Sequence, residues 1–184
     1  MHAITFQPLQ RMSPADLLAF SQLNRDLQCE LNANGTVMLR TSFHLRYTSL
    51  TNKIVKKLEV WNSESAQGTV LTNKTGFVLR NGAIRHPAIA WVKTIKMAKQ
   101  IEHLIEHVPD FFIEYLTASE SLSVARGRMQ EYLNNGAHLG WLIDLENETI
   151  YIFQENKATE TILGFKEPLS GGEILKGFQL TLSQ

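Results

Sequence analysis

The sequence predicts an α/β fold in which a mixed β-sheet core is flanked by helices. A strand, a long helix and a second strand follow one another between Pro109 and Asp144, which is typical of a crossover between neighbouring strands. Two Asn-Gly pairs, Asn34-Gly35 and Asn81-Gly82, lie between short apolar runs and predict hairpin turns, because such turns require positive φ angles. Apolar residues recur at helical spacing from about Ser49 to Trp61.

The first predicted helix begins at Ser13 and runs through about Leu23. Ser13 is a favourable N-cap residue, and Pro14 and Asp16 follow it in the first turn. The first hairpin then pairs the strands Leu27 to Leu31 and Thr36 to Leu39. The helix from about Ser49 to Trp61 turns its apolar residues toward the core and its lysines largely to other faces.

The middle of the chain is predicted to consist mainly of strands. Its helix opens near Ser119 and stops at Asn134-Asn135-Gly136, a sequence that favours a left-handed cap. The predicted strands are Thr75 to Arg80 and Ile84 onward in the second hairpin, Ile89 to Val92, Phe111 to Leu116, Leu139 to Leu145, Ile150 to Phe153, and short pieces near Ser170-Gly171-Gly172 and Phe178 to Leu182.

One acidic residue, Glu114, interrupts the apolar and aromatic strand Phe111 to Leu116. The run is typical of a strand buried on both faces. A carboxylate in that position is costly to bury unless it is paired, protonated or bound to a cation. Glu114 is therefore either half of a structural ion pair or part of a functional site.

Composition limits the class of protein. A chain of 184 residues that is 43% hydrophobic suits a single domain spanning residues 1–184. No apolar run is long enough to cross a membrane, and the first twenty residues lack the apolar block of a secretion signal. The single cysteine, Cys29, excludes an internal disulfide framework and a CxxC metal motif. We therefore expect a cytoplasmic protein with no membrane partner.

The charges are balanced, with 18 Lys plus Arg against 18 Asp plus Glu. No global field attracts the molecule to nucleic acid or membrane, so any such affinity has to come from a local patch.

A zinc peptidase is one alternative class, because His103, Glu106 and His107 fit the H-x-x-E-H spacing. Pro109 follows closely, and no downstream acidic ligand is evident. A solvated helix end is the favoured interpretation of this segment.

A set of short sequence blocks occurs in a defined order over about residues 13 to 182. They are Thr75-Gly76-Phe77 with Leu79 and Asn81-Gly82, Arg85-His86-Pro87, Trp91-Val92, Pro109-Asp110-Phe111 with Ile113-Glu114, Met129-Gln130-Glu131-Tyr132, Asn135-Gly136-Ala137, Gly140-Trp141-Leu142-Ile143, and Leu169-Ser170-Gly171 with Gly177-Phe178. In this order the chain resembles the Uma family, bacterial proteins described as putative restriction endonucleases within the PD-(D/E)XK nuclease superfamily. The resemblance implies a restriction-endonuclease-like fold.

The resemblance also implies a chemistry. In that family the site combines an aspartate from an RSPD-like block, a glutamate from a PDFVIE-like strand and a lysine from the following helix. Two carboxylates hold Mg²⁺, which neutralises phosphate charge and activates water, while the lysine orients the water or stabilises the transition state. The implied partner is nucleic acid, with DNA favoured.

Carried over to this sequence, the family's site is incomplete. Glu114 matches the glutamate and is the expected metal ligand, but Ala88 stands at the aspartate position and Arg128 at the lysine position. One carboxylate leaves a weak magnesium site, and a guanidinium cannot act as a base at neutral pH, although it can bind phosphate. Glu114 and Arg128 are the candidate catalytic residues, and Ala88 is the degenerate position. The acids that could substitute for the missing aspartate are Glu30, Asp110 and Glu120.

These residues leave two functional interpretations. The first is a PD-(D/E)XK-type nuclease with a degraded, weak or inactive site. The second is a non-catalytic nucleic-acid-binding or regulatory partner of an intact homologue. In both cases we expect Ala88, Glu114 and Arg128 to converge on one cleft.

We also expect a homodimer or larger symmetric assembly, the usual state of soluble oligomers. The expectation depends on apolar surface at Val37, Leu39 and Phe43, next to a segment, Arg40 to Tyr47, where the Uma family has a glycine-rich acidic loop.

Overall fold

The computed structural model describes residues 3–6, 8, 12–24, 27–41, 45–94, 100–101 and 104–183. Within these residues the chain forms helices α1 (Pro14–Leu23), α2 (Leu45–Ser65) and α3 (Leu122–Asn134), together with two large sheets and a two-stranded ribbon. None of the helices in the described part of the chain is long and apolar enough to span a membrane.

The first sheet has seven strands. In spatial order they are β1 (Ala3–Phe6), β3 (Val37–Thr41), β2 (Leu27–Leu31), β6 (Ile84–Arg85), β5 (Gly76–Val78), β9 (Leu104–Ile105) and β8 (Gln100–Ile101). The two Asn-Gly turns are where the sequence predicts them, because Gly35 and Gly82 have φ angles of 85° and 84°.

The second sheet has six strands and carries the candidate site. In spatial order they are β13 (Glu160–Leu163), β12 (Thr149–Gln154), β11 (Leu139–Asp144), β10 (Phe111–Leu116), β7 (Ile89–Lys93) and β4 (Gly68–Thr72). The ribbon pairs β14 (Leu169–Ser170) with β15 (Gln179–Leu180).

The predicted crossover is confirmed. Strands β10 and β11 are parallel, with Phe111 opposite Leu139 and Leu116 opposite Asp144, and α3 connects them. On its other side β10 pairs with β7 in the antiparallel direction. Every residue of β10 and β11 is buried, so the sheet is mixed and covered on both faces at this point.

The core divides between the two faces of this sheet. Ile54 and Leu58 of α2 pack in one cluster with Trp91, Ile113 and Trp141. A second cluster joins α3 to alternate residues of the strands, and contains Phe112, Ala125, Met129, Tyr132 and Leu142. The alternation follows from the two-residue side-chain period of a strand, and it places Glu114 on the same face as Phe112, toward α3.

The structure corrects the expectation for the segment around Glu106. Leu104 and Ile105 form β9, pair in parallel with β5 and are buried, so this segment is a strand followed by a bend and not a helix end. The H-x-x-E-H spacing therefore has no helix to place two imidazoles on one face. His103 lies outside the described residues.

The observed helix boundaries differ from the predicted ones by only a few residues. The capping box at Ser13 is confirmed, since Asp16 N donates to Ser13 Oγ at 3.2 Å and Ser13 N donates to Asp16 Oδ2 at 2.8 Å. Helix α3 begins after Ser121 and not near Ser119, because a turn at Glu120 N to Thr117 O (2.9 Å) precedes it and Ser121 Oγ accepts from Val124 N. Helix α2 is longer than predicted at both ends.

The expected apolar surface at the first hairpin is wrong for one of its three residues. Val37 is fully buried and packs with Leu17 of α1 and with Leu31. Leu39 is half-buried, and Phe43 lies outside the described residues.

Candidate active site

Glu114 is the fourth residue of β10 and is 1% exposed. Two side chains from α3 reach its carboxylate. Tyr132 Oη donates a hydrogen bond to Glu114 Oε1 at 3.3 Å, and Arg128 Nε lies 3.6 Å from the same oxygen. Arg128 and Tyr132 are four residues apart in α3 and so share one helical face. The strand therefore supplies the acid, and the crossover helix supplies the groups that neutralise it.

Arg128 also binds a second acid, Glu120, from the turn before α3. Its Nη1 and Nη2 donate to Glu120 Oε1 and Oε2, and the Nη2 to Oε2 distance is 2.8 Å. This fork is the bidentate arrangement that arginine forms with carboxylates. The guanidinium thus bridges Glu114 and Glu120 while Arg128 as a whole is only 7% exposed.

The surrounding charges hold the arginine in its protonated form. Burial acts to lower the pKa of Arg128, but the charge of Glu114 and the hydrogen bond and charge of Glu120 outweigh it, so the pKa is raised. Burial, followed by the charges of Glu114 and Glu30, raises the pKa of Tyr132 well above its ordinary value. Tyr132 therefore stays a neutral donor, and Arg128 stays a cation.

A second buried ion pair adjoins the first. Glu30 of β2 has no exposed surface, its Oε1 accepts from His86 N at 3.1 Å, and its Oε2 lies 3.8 Å from Arg85 Nη1. Arg85 Nε in turn donates to Glu131 Oε2 at 2.7 Å. The charge of Glu30 also contributes to the raised pKa of Arg128 and of Tyr132, so both pairs belong to one electrostatic cluster.

Three members of this cluster had no predicted role. Arg85, Glu131 and Tyr132 occur in the sequence blocks that carry the family resemblance, but an isolated sequence gives no sign that they meet. Arg85 connects three elements, because Nη1 also donates to Leu31 O (3.0 Å) and Nη2 to Asn32 Oδ1 (2.8 Å). The polar residues inside the resemblance blocks were the available signal.

Ala88 lies immediately before β7. Ile89 pairs with Ile113, so the register places Ala88 next to the strand segment that carries Glu114. Ala88 is 1% exposed and belongs to the cluster on the α2 side. Glu114 and Arg128 are in contact. Ala88 packs with the cluster on the α2 side of the sheet, whereas Glu114 faces α3, so the convergence of the Ala88 side chain on the same cleft stays a prediction.

The three candidate substitute acids are in different places. Glu120 is bound to Arg128, and Glu30 lies in the adjoining ion pair. Asp110 precedes β10, four residues from Glu114 or about 13 Å along an extended strand. Its Oδ2 accepts from Lys93 N at 3.0 Å, and its Oδ1 lies 3.9 Å from His138 Nε2. The structure thus brings Glu30 and Glu120 toward Glu114, but not Asp110.

The residues around Glu114 do not fit a divalent cation. In the described part of the chain, no group of three or more His, Cys, Asp or Glu side chains is placed to hold a metal ion. The groups in contact with Glu114 Oε1 include a hydrogen-bond donor, Tyr132 Oη, and the guanidinium of Arg128. Mg²⁺ requires oxygen ligands and would meet the positive charge of Arg128 at short range.

Comparison with known proteins shows the family and the fold of the chain. The family model Uma2, described as "Putative restriction endonuclease", matches residues 14–183. A crystal structure described as a putative nuclease belonging to DUF820 from Anabaena variabilis superimposes with a TM-score of 0.74, at 14% identity, over 84% of this chain and 87% of that one. A search of curated proteins finds no match. At this identity the likeness shows a shared fold, which confirms the predicted restriction-endonuclease-like α/β class. With the family model spanning most of its length, the chain belongs to the Uma2 family of putative restriction endonucleases.

Proposed function

We propose that the chain is a PD-(D/E)XK-type nuclease domain with a degraded site, in which metal-dependent phosphodiester hydrolysis is weak or lost. The observation that carries the proposal is the residue at the position of the family's aspartate. Ala88, whose side chain is a methyl group, stands there, immediately before the strand that pairs with β10. Family membership supplies the substrate class, nucleic acid, with DNA favoured.

The chemistry follows from the residues present. Two carboxylates on neighbouring strands would share the charge of one divalent ion, whereas a single carboxylate competes poorly with water for Mg²⁺. Arg128 replaces an amine, whose pKa can be lowered by its surroundings, with a guanidinium that cannot act as a base at neutral pH. Glu120 occupies both Nη atoms of this arginine, so its guanidinium is engaged before any phosphate arrives. Phosphate binding by Arg128 stays a prediction, and it would require Glu120 to release the guanidinium.

A second candidate function is a non-catalytic nucleic-acid-binding or regulatory partner of an intact homologue. The observation that favours it is the packing at the degraded site. Glu114 and Arg128 are buried and paired, and every residue of β10 and β11 is buried. A well-formed scaffold without its metal ligands suits binding better than turnover.

The test is a cleavage assay on supercoiled plasmid with Mg²⁺ or Mn²⁺, comparing the wild type with Glu114→Gln. We expect the two proteins to cleave equally little. A family member that has Asp and Lys at the positions of Ala88 and Arg128 is the positive control. Strong wild-type cleavage that Glu114→Gln abolishes would contradict the degraded-site proposal.

Fluorescence anisotropy with labelled duplex DNA and RNA tests the second candidate. Saturable binding that persists in Glu114→Gln supports it. A lack of binding to either nucleic acid and to the intact homologue removes it.

The homodimer stays a prediction. Because Val37 is buried, the support for a homodimer is reduced to the half-buried Leu39 and to the general preference of soluble oligomers for symmetric assembly. Light scattering at micromolar concentration tests it, and a strictly monomeric mass would remove it.

A further inference from the structure

Arg128 bridges two acids that belong to different elements, Glu114 on β10 and Glu120 in the turn before α3. We propose that its guanidinium is a resident cation, which takes over at Glu114 the charge-neutralising role that a divalent metal ion has in a two-carboxylate nuclease site. The site has then exchanged a dissociable ion for a permanent internal one. This inference rests on the proposed loss of metal-dependent hydrolysis, and it explains how the fold tolerates that loss.

The geometry at Glu114 supports a resident cation. Glu114 lies in the interior, where an ionised carboxylate has to be paired. Arg128 Nε lies 3.6 Å from Glu114 Oε1, and its two Nη atoms face Glu120. A planar fork with donors on several sides can contact two carboxylates together, which a single ammonium group does less well. The arginine therefore joins β10 to the N-terminal turn of α3, a link that a bridging metal ion would otherwise supply.

The charge of the Arg128 guanidinium is permanent. The pKa of Arg128 is raised because the charges of Glu114 and Glu120 outweigh the effect of burial. The guanidinium stays charged at neutral pH, and it cannot diffuse away because it is part of the chain. The neutralisation of Glu114 therefore depends neither on the metal concentration nor on the pH in the neutral range.

A divalent cation and the guanidinium compete for Glu114. A divalent ion at Glu114 would lie within a few ångströms of the guanidinium and would have to displace it. Removing the arginine charge should therefore favour the binding of a divalent ion at Glu114. It leaves Glu114 and Glu120 without the cation between them, and a divalent ion can then bind.

The experiment is calorimetric titration of Mn²⁺ alone, without nucleic acid, into the wild type, Arg128→Met and Arg126→Met. Arg126 is the matched control, because it is an exposed arginine on the same helix whose guanidinium lies 5.1 Å from the Tyr151 ring. We expect no saturable binding to the wild type or Arg126→Met, and binding at least about tenfold tighter to Arg128→Met. A rise in the melting temperature of Arg128→Met with Mn²⁺ is the second readout.

Two results would overturn the inference. One is saturable Mn²⁺ binding to the wild type that Glu114→Gln abolishes. The other is Mn²⁺ binding to folded Arg128→Met that is no tighter than to Arg126→Met. If Arg128→Met folds only when Mn²⁺ is present, the inference is supported. If it does not fold at all, the comparison of wild type with Glu114→Gln decides: equal absence of Mn²⁺ binding supports the inference, and a difference overturns it.

The titration also separates this inference from the proposed function. Wild-type cleavage without Mn²⁺ binding at Glu114 would contradict the degraded site and leave the resident cation standing. Mn²⁺ binding at Glu114 without cleavage would do the reverse.

Discussion

Arg128 Nε lies 3.6 Å from Glu114 Oε1, and both side chains are almost fully buried between β10 and α3. A buried pair of this kind is not evidence of high stability by itself, because desolvation offsets much of the attraction. Its importance is conditional: each partner makes the burial of the other possible. Substitutions that remove one charge of the pair should therefore lower the free energy of unfolding much more than substitutions that remove both.

Arg128→Met should lower the free energy of unfolding by about 3–5 kcal/mol, which is the usual cost of leaving one charge of a buried ion pair without its partner. Urea denaturation measures this cost. Arg126→Met, on the exposed face of the same helix, should cost no more than about 1 kcal/mol. In the double variant Glu114→Gln with Arg128→Met, most of the loss should be recovered. Additive effects of the two substitutions would show that the pair is not coupled.

Tyr132→Phe should lower the free energy of unfolding by about 1–3 kcal/mol, because a hydroxyl that donates to a buried carboxylate is lost. The ring contact with Phe112, at 4.1 Å between centroids, should be retained. Combining Tyr132→Phe with Glu114→Gln tests the assignment to this hydrogen bond. If the two losses simply add, the hydroxyl does not act through Glu114.

Glu30→Gln should be destabilising by about 1–3 kcal/mol, since the carboxylate accepts from His86 N and faces Arg85 in the interior. Glu167→Gln is the matched surface control and should change stability by less than about 0.5 kcal/mol. Chemical denaturation of both variants checks this. Equal stability of the two variants would mean that the second ion pair contributes nothing to the cluster.

Stability should fall as the pH rises above about 10, the ordinary tyrosine value. Burial raises the pKa of Tyr115, with the hydrogen bond to Thr51 acting in the opposite direction, and burial also raises the pKa of Tyr132. A raised pKa means that the folded state keeps protons which the unfolded state releases, so the contribution is complete below the unfolded pKa and is lost above it. Urea midpoints measured from neutral to alkaline pH test this. Tyr115→Phe should flatten the alkaline decline, and an unchanged slope would refute the assignment.

Much of the fold follows from local sequence. The strands and the helix between Pro109 and Asp144 were predicted correctly because their hydrophobic periods are clear, and both Asn-Gly turns were predicted because glycine permits positive φ. The sequence analysis does not predict strands β1, β4, β8, β9 and β13. For β9 the reason is length, since Leu104-Ile105 is too short for a period to separate a strand from a helix end. Val37 was assigned to the surface because the packing of α1 against the first hairpin is not a local property.

The site was predictable in part. Glu114 stands out in the sequence because it is an acidic residue in a buried strand. The structure shows the ion-pair alternative, in the contact with Arg128, and a functional role of Glu114 stays a prediction. The partner atoms were not predictable, because the meeting of Arg128 with Glu114 and Glu120 depends on how α3 is rotated over β10. The roles of Arg85 and Tyr132 depend on the same tertiary placement.

The most direct test of the central claim compares plasmid cleavage by the wild type, Ala88→Asp, Arg128→Lys and the double variant Ala88→Asp with Arg128→Lys, in Mg²⁺. The account predicts no cleavage above background for the wild type, little for either single variant, and measurable cleavage by the double variant, because the two groups act as a unit. The contradicting result is wild-type cleavage that is as fast as that of the double variant and is lost in Glu114→Gln. It would show that Ala88 and Arg128 do not abolish metal-dependent cleavage.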